Sequence, residues 1–358
     1  MKNTSNRALF LARELSGYLI GCLQNAIERN SDLYIKVLYW PVNHEAPFEF
    51  EQSKGRLEFI PSLQLSDAHF NELMDQWQPS IWIVSGWADK KYMKWVRQYS
   101  AIPKVIAFDT QWRSNLKFRL GAFWLYCRSL RFFMGAWVPG KRQAHLASQF
   151  RFSSDRIVQG FYVADASAFK SSKPSRTNNT HLKILFVNRL VKEKGFPQVL
   201  EYLVQKIDEG KLPWSITVVG TGPFLNLCPR REYIEYKGFV QPRDLGIIFS
   251  NHDVYVLASL YEPWGVSLHE AAMCGLPLVV SNEVGAGDAF VKHGENGFVF
   301  ASGDYHQMFL SLEKLSSWSS EEKERSFLKS IEMAQQINQD TWSNQLVNWI
   351  KRAELCAV

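Results

Sequence analysis

The sequence predicts an α/β protein of two Rossmann-like domains facing each other across a cleft. Three observations predict it. The chain has 358 residues, beyond the ~250–300 at which a single hydrophobic core stops growing, so two domains are expected. Short apolar runs alternate with helix-length polar or amphipathic segments, the rhythm of β-α-β units on a parallel sheet. That rhythm breaks at a polar, breaker-rich stretch from Lys170 to Thr180 and then restarts. The domains are therefore drawn at 1–168 and 181–340, with 169–180 as linker and 341–358 expected to complete the first domain.

In the first half, Ala8 to Leu11 reads as a strand, Tyr18 to Glu28 as a helix and Leu33 to Tyr39 as a second strand. Ile81 to Val84 and Lys104 to Phe108 are further buried strands. In the second half the strands are Lys183 to Val187, Trp214 to Val219, Val254 to Leu257 and Leu278 to Val280, with a helix from Pro197 to Ile207. Ser267 to Cys274 reads as a helix stopped by Gly275 and Pro277. The amphipathic run from Thr341 to Ile350 is the helix expected to pack back on the first domain. In such sheets ligands bind at the carboxyl ends of the strands.

Composition excludes several classes. With 46% apolar and 21% charged residues, the chain reads as a folded globular protein. No apolar run reaches the ~18–20 residues that cross a bilayer, and the stretch after Arg7 is too short for a signal peptide. Five scattered cysteines form no metal-like spacing and are expected to be reduced thiols in a cytoplasmic protein. Charge is unevenly distributed: residues 1–165 hold 21 Lys/Arg against 14 Asp/Glu, and no acid lies between Asp109 and Asp155. An acid-free basic block suits an anionic partner. Read as a helix from Leu116 to Phe133, the block places Lys117, Trp124, Arg128 and Arg131 in one narrow arc, which suits a membrane interface or a lipid-linked acceptor. The bland alternative is that its aromatic residues are core and its cations solvated.

The most informative residues are Glu262 and Glu270, eight apart around the predicted start of the helix Ser267 to Cys274. Exposed amides and the helix dipole favour an anion there, and flanking carboxylates can accept hydrogen bonds from hydroxyls; a sugar diphosphate offers both. The alternative is ordinary capping decoration, but Glu270 sits among Leu268, Ala271, Ala272 and Met273, where an acid needs partners. Arg189 and Lys194 lie five residues apart across a strand-to-helix turn, either a pair for phosphate oxygens or a solvated basic loop beside Glu193. Gly220-Thr-Gly-Pro223 and Gly285-Ala-Gly287 are weak signals that ordinary turns also explain. His145, His252, His269 and His293 form no ligand spacing; His269 is expected to face solvent or a neighbouring loop. Trp40, Trp87 and Trp112 follow strands and could line an acceptor pocket.

In order along the chain, Asn188-Arg-Leu-x-x-x-Lys-Gly195, Gly220-Thr-Gly-Pro223, Lys237-Gly-Phe-Val240, and Glu262-x7-Glu270 with Gly265 and Gly275-Leu-Pro277 resemble the GT-B-fold retaining glycosyltransferases of family 4, the glycosyltransferases group 1. The likeness covers roughly residues 181 to 300 and is looser from Ala136 to Phe169. It implies that Arg189 and Lys194 hold the donor diphosphate and that Glu262 meets the donor-sugar hydroxyls. Amides of Gly265, Val266 and Ser267 would meet sugar or phosphate oxygens, Glu270 the ribose, and Gly238, Phe239 and Val240 the nucleobase. It further implies that Gly17 lets backbone approach the donor, and that Asp109 contacts the acceptor or assists as a base, although Asp109 can equally cap the next turn. Asp109, Arg189, Lys194 and Glu262 are thus the catalytic candidates.

The chain offers no DxD-like carboxylate pair, in keeping with a metal-independent reaction without a cofactor. Fixed cations stabilise the departing diphosphate. The expected function is transfer of a sugar from a nucleotide-diphosphate sugar to a glycan or lipid-linked acceptor, with retention, by a cytoplasmic protein peripheral to the membrane. No nucleic-acid partner is expected. The resemblance points to bacterial surface polysaccharide or glycolipid synthesis. Alternatives are another GT-B enzyme, such as a nucleotide-sugar epimerase or a phosphorylase, and a non-catalytic nucleotide-sugar-binding scaffold.

Overall fold

The computed structural model describes residues 6–40, 55–112, 121, 125, 128–169 and 181–356. The chain divides into two compact units, Met1–Val163 with Gln339–Val358, and Ala164–Asn338. The division falls before the boundary drawn at 168, because the backbone there packs within the second unit. A Cβ on Gly246 would lie 2.1 Å from Ala168 O, and Phe169 meets Phe249 edge-on at 5.7 Å.

The first unit holds a parallel sheet of β1 (Asn6–Ala12), β2 (Leu33–Tyr39), β3 (Leu57–Pro61), β4 (Ile81–Ser85), β5 (Lys104–Ala107), β6 (Gly135–Val138) and β7 (Ile157–Gln159). Their order is β3-β2-β1-β4-β5-β6-β7, so the direction of winding reverses between β1 and β4. The central strands are covered on both faces, which is why they read as unbroken apolar runs rather than alternating ones. β3, β6 and β7 lack that signal. β3 and β7 are short and partly exposed, and β6 begins at Gly135, where a Cβ would collide with the Trp349 ring at 2.4 Å.

Trp349 belongs to the last helix, Gln339–Cys356, which packs on the first helix, Gly17–Arg29, within this unit. Trp342 of the same helix is buried, stacks on Phe10 and Trp137, and donates its indole N–H to Phe161 O at 2.9 Å. Truncating a buried tryptophan of this kind costs about 3–5 kcal/mol, so the returning helix is a structural part of the unit.

The second unit repeats the plan with β8 (Leu182–Val187), β9 (Trp214–Val219), β10 (Ile234–Gly238), β11 (Val254–Leu257), β12 (Leu278–Ser281) and β13 (Gly297–Phe300), in the order β10-β9-β8-β11-β12-β13. Every pairing in both sheets is parallel. Here the reversal lies between β8 and β11.

The expected helix from Leu116 to Phe133 does not run to its end. Gly121, Leu125 and Arg128 are helical, but Leu130–Phe132 is a 3-10 turn and Phe133 is extended and buried. Leu130 and Phe133 sink into the core, pulling the backbone out of helical register. Lys117 and Trp124 lie outside the described residues, so only Arg128 and Arg131 of the proposed arc are placed, both exposed. Among the described residues no helix is long and apolar enough to cross a membrane.

Candidate active site

In the second unit the chain leaves β8 through Asn188 and Arg189 into a turn at Lys192–Lys194, where Lys194 N donates to Val191 O at 3.0 Å. Gly195 closes that turn with φ +83°, and a Cβ on it would lie 2.8 Å from Ala258 O. The loop after β11 is tied to the same turn, since Leu260 N and Tyr261 N both donate to Glu193 O, at 2.8 and 3.2 Å. A short parallel bridge then fixes Glu262 against Val284, with Glu262 N donating to Glu283 O and Gly285 N to Glu262 O. The consequence is an ion pair between Lys194 Nζ and Glu262 Oε2, with side chains only 14% and 13% exposed. Two residues expected to serve different parts of a donor are therefore direct partners. Arg189 stays exposed on the preceding turn.

Gly265 precedes the helix Val266–Met273 with φ +97°, and a Cβ on it would press on Leu257 Cδ2 at 3.1 Å and Glu262 Cγ at 3.2 Å. Among the described residues no side chain caps this helix, and no acid lies in its first turn, so its N-terminal amides and positive dipole end suit another acceptor. Tyr255 OH donates to Ser267 Oγ at 2.7 Å and orients it. One turn on, Glu270 is half-buried, and among the described residues its carboxylate has no hydrogen-bond or ion-pair partner. Burial pushes it up to about 8, and the nearby Asp165 adds to the rise.

His269, expected to face solvent or a neighbouring loop, does not face solvent: it is fully buried, and one of its partners is the loop residue Ala164. Its Nδ1 accepts from Ala164 N at 3.1 Å, its Nε2 lies 3.0 Å from Ala334 O, and its ring stacks on Phe290 at 4.2 Å. Burial lowers it to about 4, so this neutral ring pins the helix bearing Glu270 to its own unit.

The glycines after β9 have a packing explanation. A Cβ on Gly220, at φ +131°, would lie 1.8 Å from Asn188 O, and one on Gly222 would lie 2.4 Å from Leu190 O. Gly238, at φ +66°, ends β10 beside a register irregularity with open space around its missing Cβ, and Phe239 and Val240 follow half-buried.

In the first unit a cavity of about 580 Å³ opens at the carboxyl ends of β1, β2, β4 and β5, around the reversal between β1 and β4. Asp109 lines it after β5, its main-chain oxygen held by Gln143 Nε2 at 3.0 Å. Gly17 begins the first helix, but its neighbours Ser16 and Tyr18, rather than Gly17, form the wall. Tyr18 meets Tyr162 edge-on at 5.3 Å. Burial raises Tyr18 to about 12, with Asp109 and Glu14 adding to the rise, and Tyr162 is raised well above its ordinary value mainly by burial. Of the tryptophans singled out in the sequence, Trp40 and Trp87 line the cavity and Trp112 does not. Sequence reasoning passed over Glu14, Tyr18 and Tyr162; their signal was position, since Glu14 and Tyr18 flank the glycine after the first strand. Among the described residues no three His, Cys, Asp or Glu side chains gather as a metal site.

Residues 168–330 match the family model of the glycosyl transferases group 1. That stretch is similar to a group 1 glycosyltransferase domain. Lys194, Glu262 and Glu270 all lie inside that domain, and the tyrosine-lined cavity lies outside it. An uncharacterized glycosyltransferase of Methanocaldococcus jannaschii is 33% identical over 123 residues, 32% of this chain and 30% of that protein. The alpha-monoglucosyldiacylglycerol synthase of Acholeplasma laidlawii is 29% identical over 130 residues, 34% of this chain and 32% of that protein. The alignments thus span about a third of these curated relatives. A glycosyltransferase structure from Rickettsia africae superposes with a TM-score of 0.74 at 11% identity, covering 97% of this chain and 98% of that one. HepE of Anabaena, solved with UDP and glucose, gives 0.70 at 15% identity, covering 97% and 100%. With the two parallel sheets, these likenesses establish the GT-B fold of two Rossmann-like domains.

Proposed function

We propose that the protein is a retaining, metal-independent hexosyltransferase that moves a sugar from a nucleotide-diphosphate sugar to an acceptor hydroxyl, in bacterial surface polysaccharide or glycolipid synthesis. The observation that carries the reading is the juxtaposition of the Lys194–Glu262 pair with the uncapped helix start at Val266 and the unpartnered Glu270. Cleavage of a glycosyl-phosphate bond leaves negative charge on the departing diphosphate. Lys194, Arg189 and the amides of Val266 and Ser267 are the groups that neutralise it, which is why no metal is required in this scheme. Glu262 takes the sugar hydroxyls and keeps Lys194 aimed, and Glu270 takes the ribose hydroxyls. Gly238 to Val240 presents backbone to the base.

The group 1 domain and the UDP held by the similarly folded HepE support the donor class. The family resemblance supports retention and the biosynthetic setting. Arg128 and Arg131 are proposed to contact an anionic membrane surface. The test is donor hydrolysis and transfer across UDP-, GDP- and ADP-sugars with wild type, Lys194→Ala and Glu262→Ala. One donor class should turn over and both variants should lose about 100-fold or more; turnover near wild type in either variant sinks the assignment.

A further inference from the structure

Glu270 has no hydrogen-bond or ion-pair partner among the described residues, so the backbone of the helix Val266–Met273 sets where its carboxylate is aimed. That helix has eight residues, and the side chains it buries besides His269 are Leu268, Ala271 and Ala272. Apolar contacts are non-directional and fix the roll of a short helix weakly. Two directional bonds fix it better, and His269, the residue before Glu270, makes both. Its Nδ1 accepts from Ala164 N at 3.1 Å and so carries no proton, which leaves the proton on Nε2, 3.0 Å from Ala334 O. Ala164 is the first residue of the second unit. Ala334 lies in the last turn of the helix Ser320–Gln335, where carbonyls have no partner within their own helix. Phe290 covers the ring face at 4.2 Å and 13°. Burial keeps the imidazole neutral, so both bonds are in place at neutral pH.

We propose that His269 is a positioning residue for nucleotide recognition: by bonding its helix to both Ala164 and Ala334, it aims the Glu270 carboxylate at the ribose hydroxyls of a nucleoside diphosphate. The inference rests on the ribose role proposed for Glu270 and adds to it a residue that touches no ligand. Each of the two bonds can be removed alone. Asparagine places its oxygen near the Nδ1 position and keeps an acceptor for Ala164, whereas glutamine places its amide nitrogen near Nε2 and keeps a donor for Ala334. Leucine keeps neither.

The measurement is the preference for ribose over deoxyribose. Titration calorimetry of the whole chain at pH 9, where Glu270 is ionised, compares UDP, GDP and ADP with their 2′-deoxy counterparts. In wild type the nucleotide that binds should be preferred over its deoxy form by about tenfold or more, the worth of a hydrogen bond to a carboxylate. His269→Leu should cut that preference to about threefold or less, with His269→Asn and His269→Gln in between, because a misaimed carboxylate loses the bond while the rest of the nucleotide still binds. A ratio of affinities measured on one sample does not depend on how much of it is folded, so lost stability does not mimic the effect. The two amide variants, each keeping one bond, carry the test if His269→Leu does not fold. A lowered melting temperature with the wild-type ratio in these variants makes the ring structural only and overturns the inference. A wild-type chain that binds no nucleoside diphosphate or shows no ribose preference, or a Glu270→Gln chain that keeps the preference in full, refutes the ribose role of Glu270 itself, and the inference falls with it.

Discussion

Replacing Lys194 by Met removes one charge from a pair whose side chains are only 14% and 13% exposed, and takes that lysine's charge away from Glu262. Two unit charges about 4 Å apart at an effective dielectric near 20 attract by about 4 kcal/mol. Desolvation of both groups offsets part of this, and the residual exposure trims it further, so the net value of the pair is small. The cost of breaking it from one side is larger, about 2–4 kcal/mol, because the survivor is still desolvated. Lys194→Met and Glu262→Gln should each destabilise the second unit by that amount, and the double variant should be no less stable than either single one, a coupling of about 2–4 kcal/mol. Urea-dependent hydrogen exchange on peptides from β8 and β11 reads this unit separately, which a single global unfolding curve on a two-unit chain does not. Turnover behaves differently, since the double variant loses no further stability and stays inactive. Additive stability effects, with coupling below about 0.5 kcal/mol, would refute the pairing argument; recovery of turnover in the double variant would refute the catalytic one.

Three further outcomes are expected. Glu270 ionises near 8 in the folded chain and near its ordinary value when unfolded, so the native state binds the extra proton between those values and stability falls as pH rises through the window, levelling off above it; Glu270→Gln should flatten that slope in denaturation between pH 5 and 9. Ribose hydroxyls donate best to the ionised form, so nucleoside diphosphate affinity in titration calorimetry should rise up to about tenfold per pH unit below 8 in wild type and stay flat in Glu270→Gln. Gly220→Ala, which drives a Cβ to 1.8 Å from Asn188 O, should prevent stable folding of the second unit, whereas Gly238→Ala, with open space but φ +66°, should cost only about 1–2 kcal/mol in thermal denaturation.

The parts legible in the sequence were those where one physical signal acts alone. β4, β9 and β11 lie where the apolar runs put them, because strands buried on both faces have no reason to alternate. β3, β7 and β10 are partly exposed and carry no such run, and β10 ends at a bulge. At the site, spacing identified Glu262, Glu270 and Lys194 but could not show that Lys194 and Glu262 touch, since 68 residues separate them and the loop tie at Glu193 O is made by backbone. His269 was misplaced for a related reason. A histidine whose two ring nitrogens both meet main-chain groups can be buried neutral, and those groups come from Ala164 and Ala334, which are distant in sequence.

The same winding, reversing between β1 and β4 in one unit and between β8 and β11 in the other, opens strand ends in both, so topology alone does not distinguish the two sites. The side chains that cap those ends do. In the second unit a lysine and an uncapped helix start create a place for negative charge, with Glu262 and Glu270 beside it for hydroxyls. In the first, the described lining carries Glu14 and Asp109 beside Arg13, with phenols and indoles between them. Under the proposed reaction this division has a physical purpose. The leaving diphosphate needs fixed positive charge throughout bond cleavage, and Lys194, Arg189 and the uncapped helix start are the groups that would supply it.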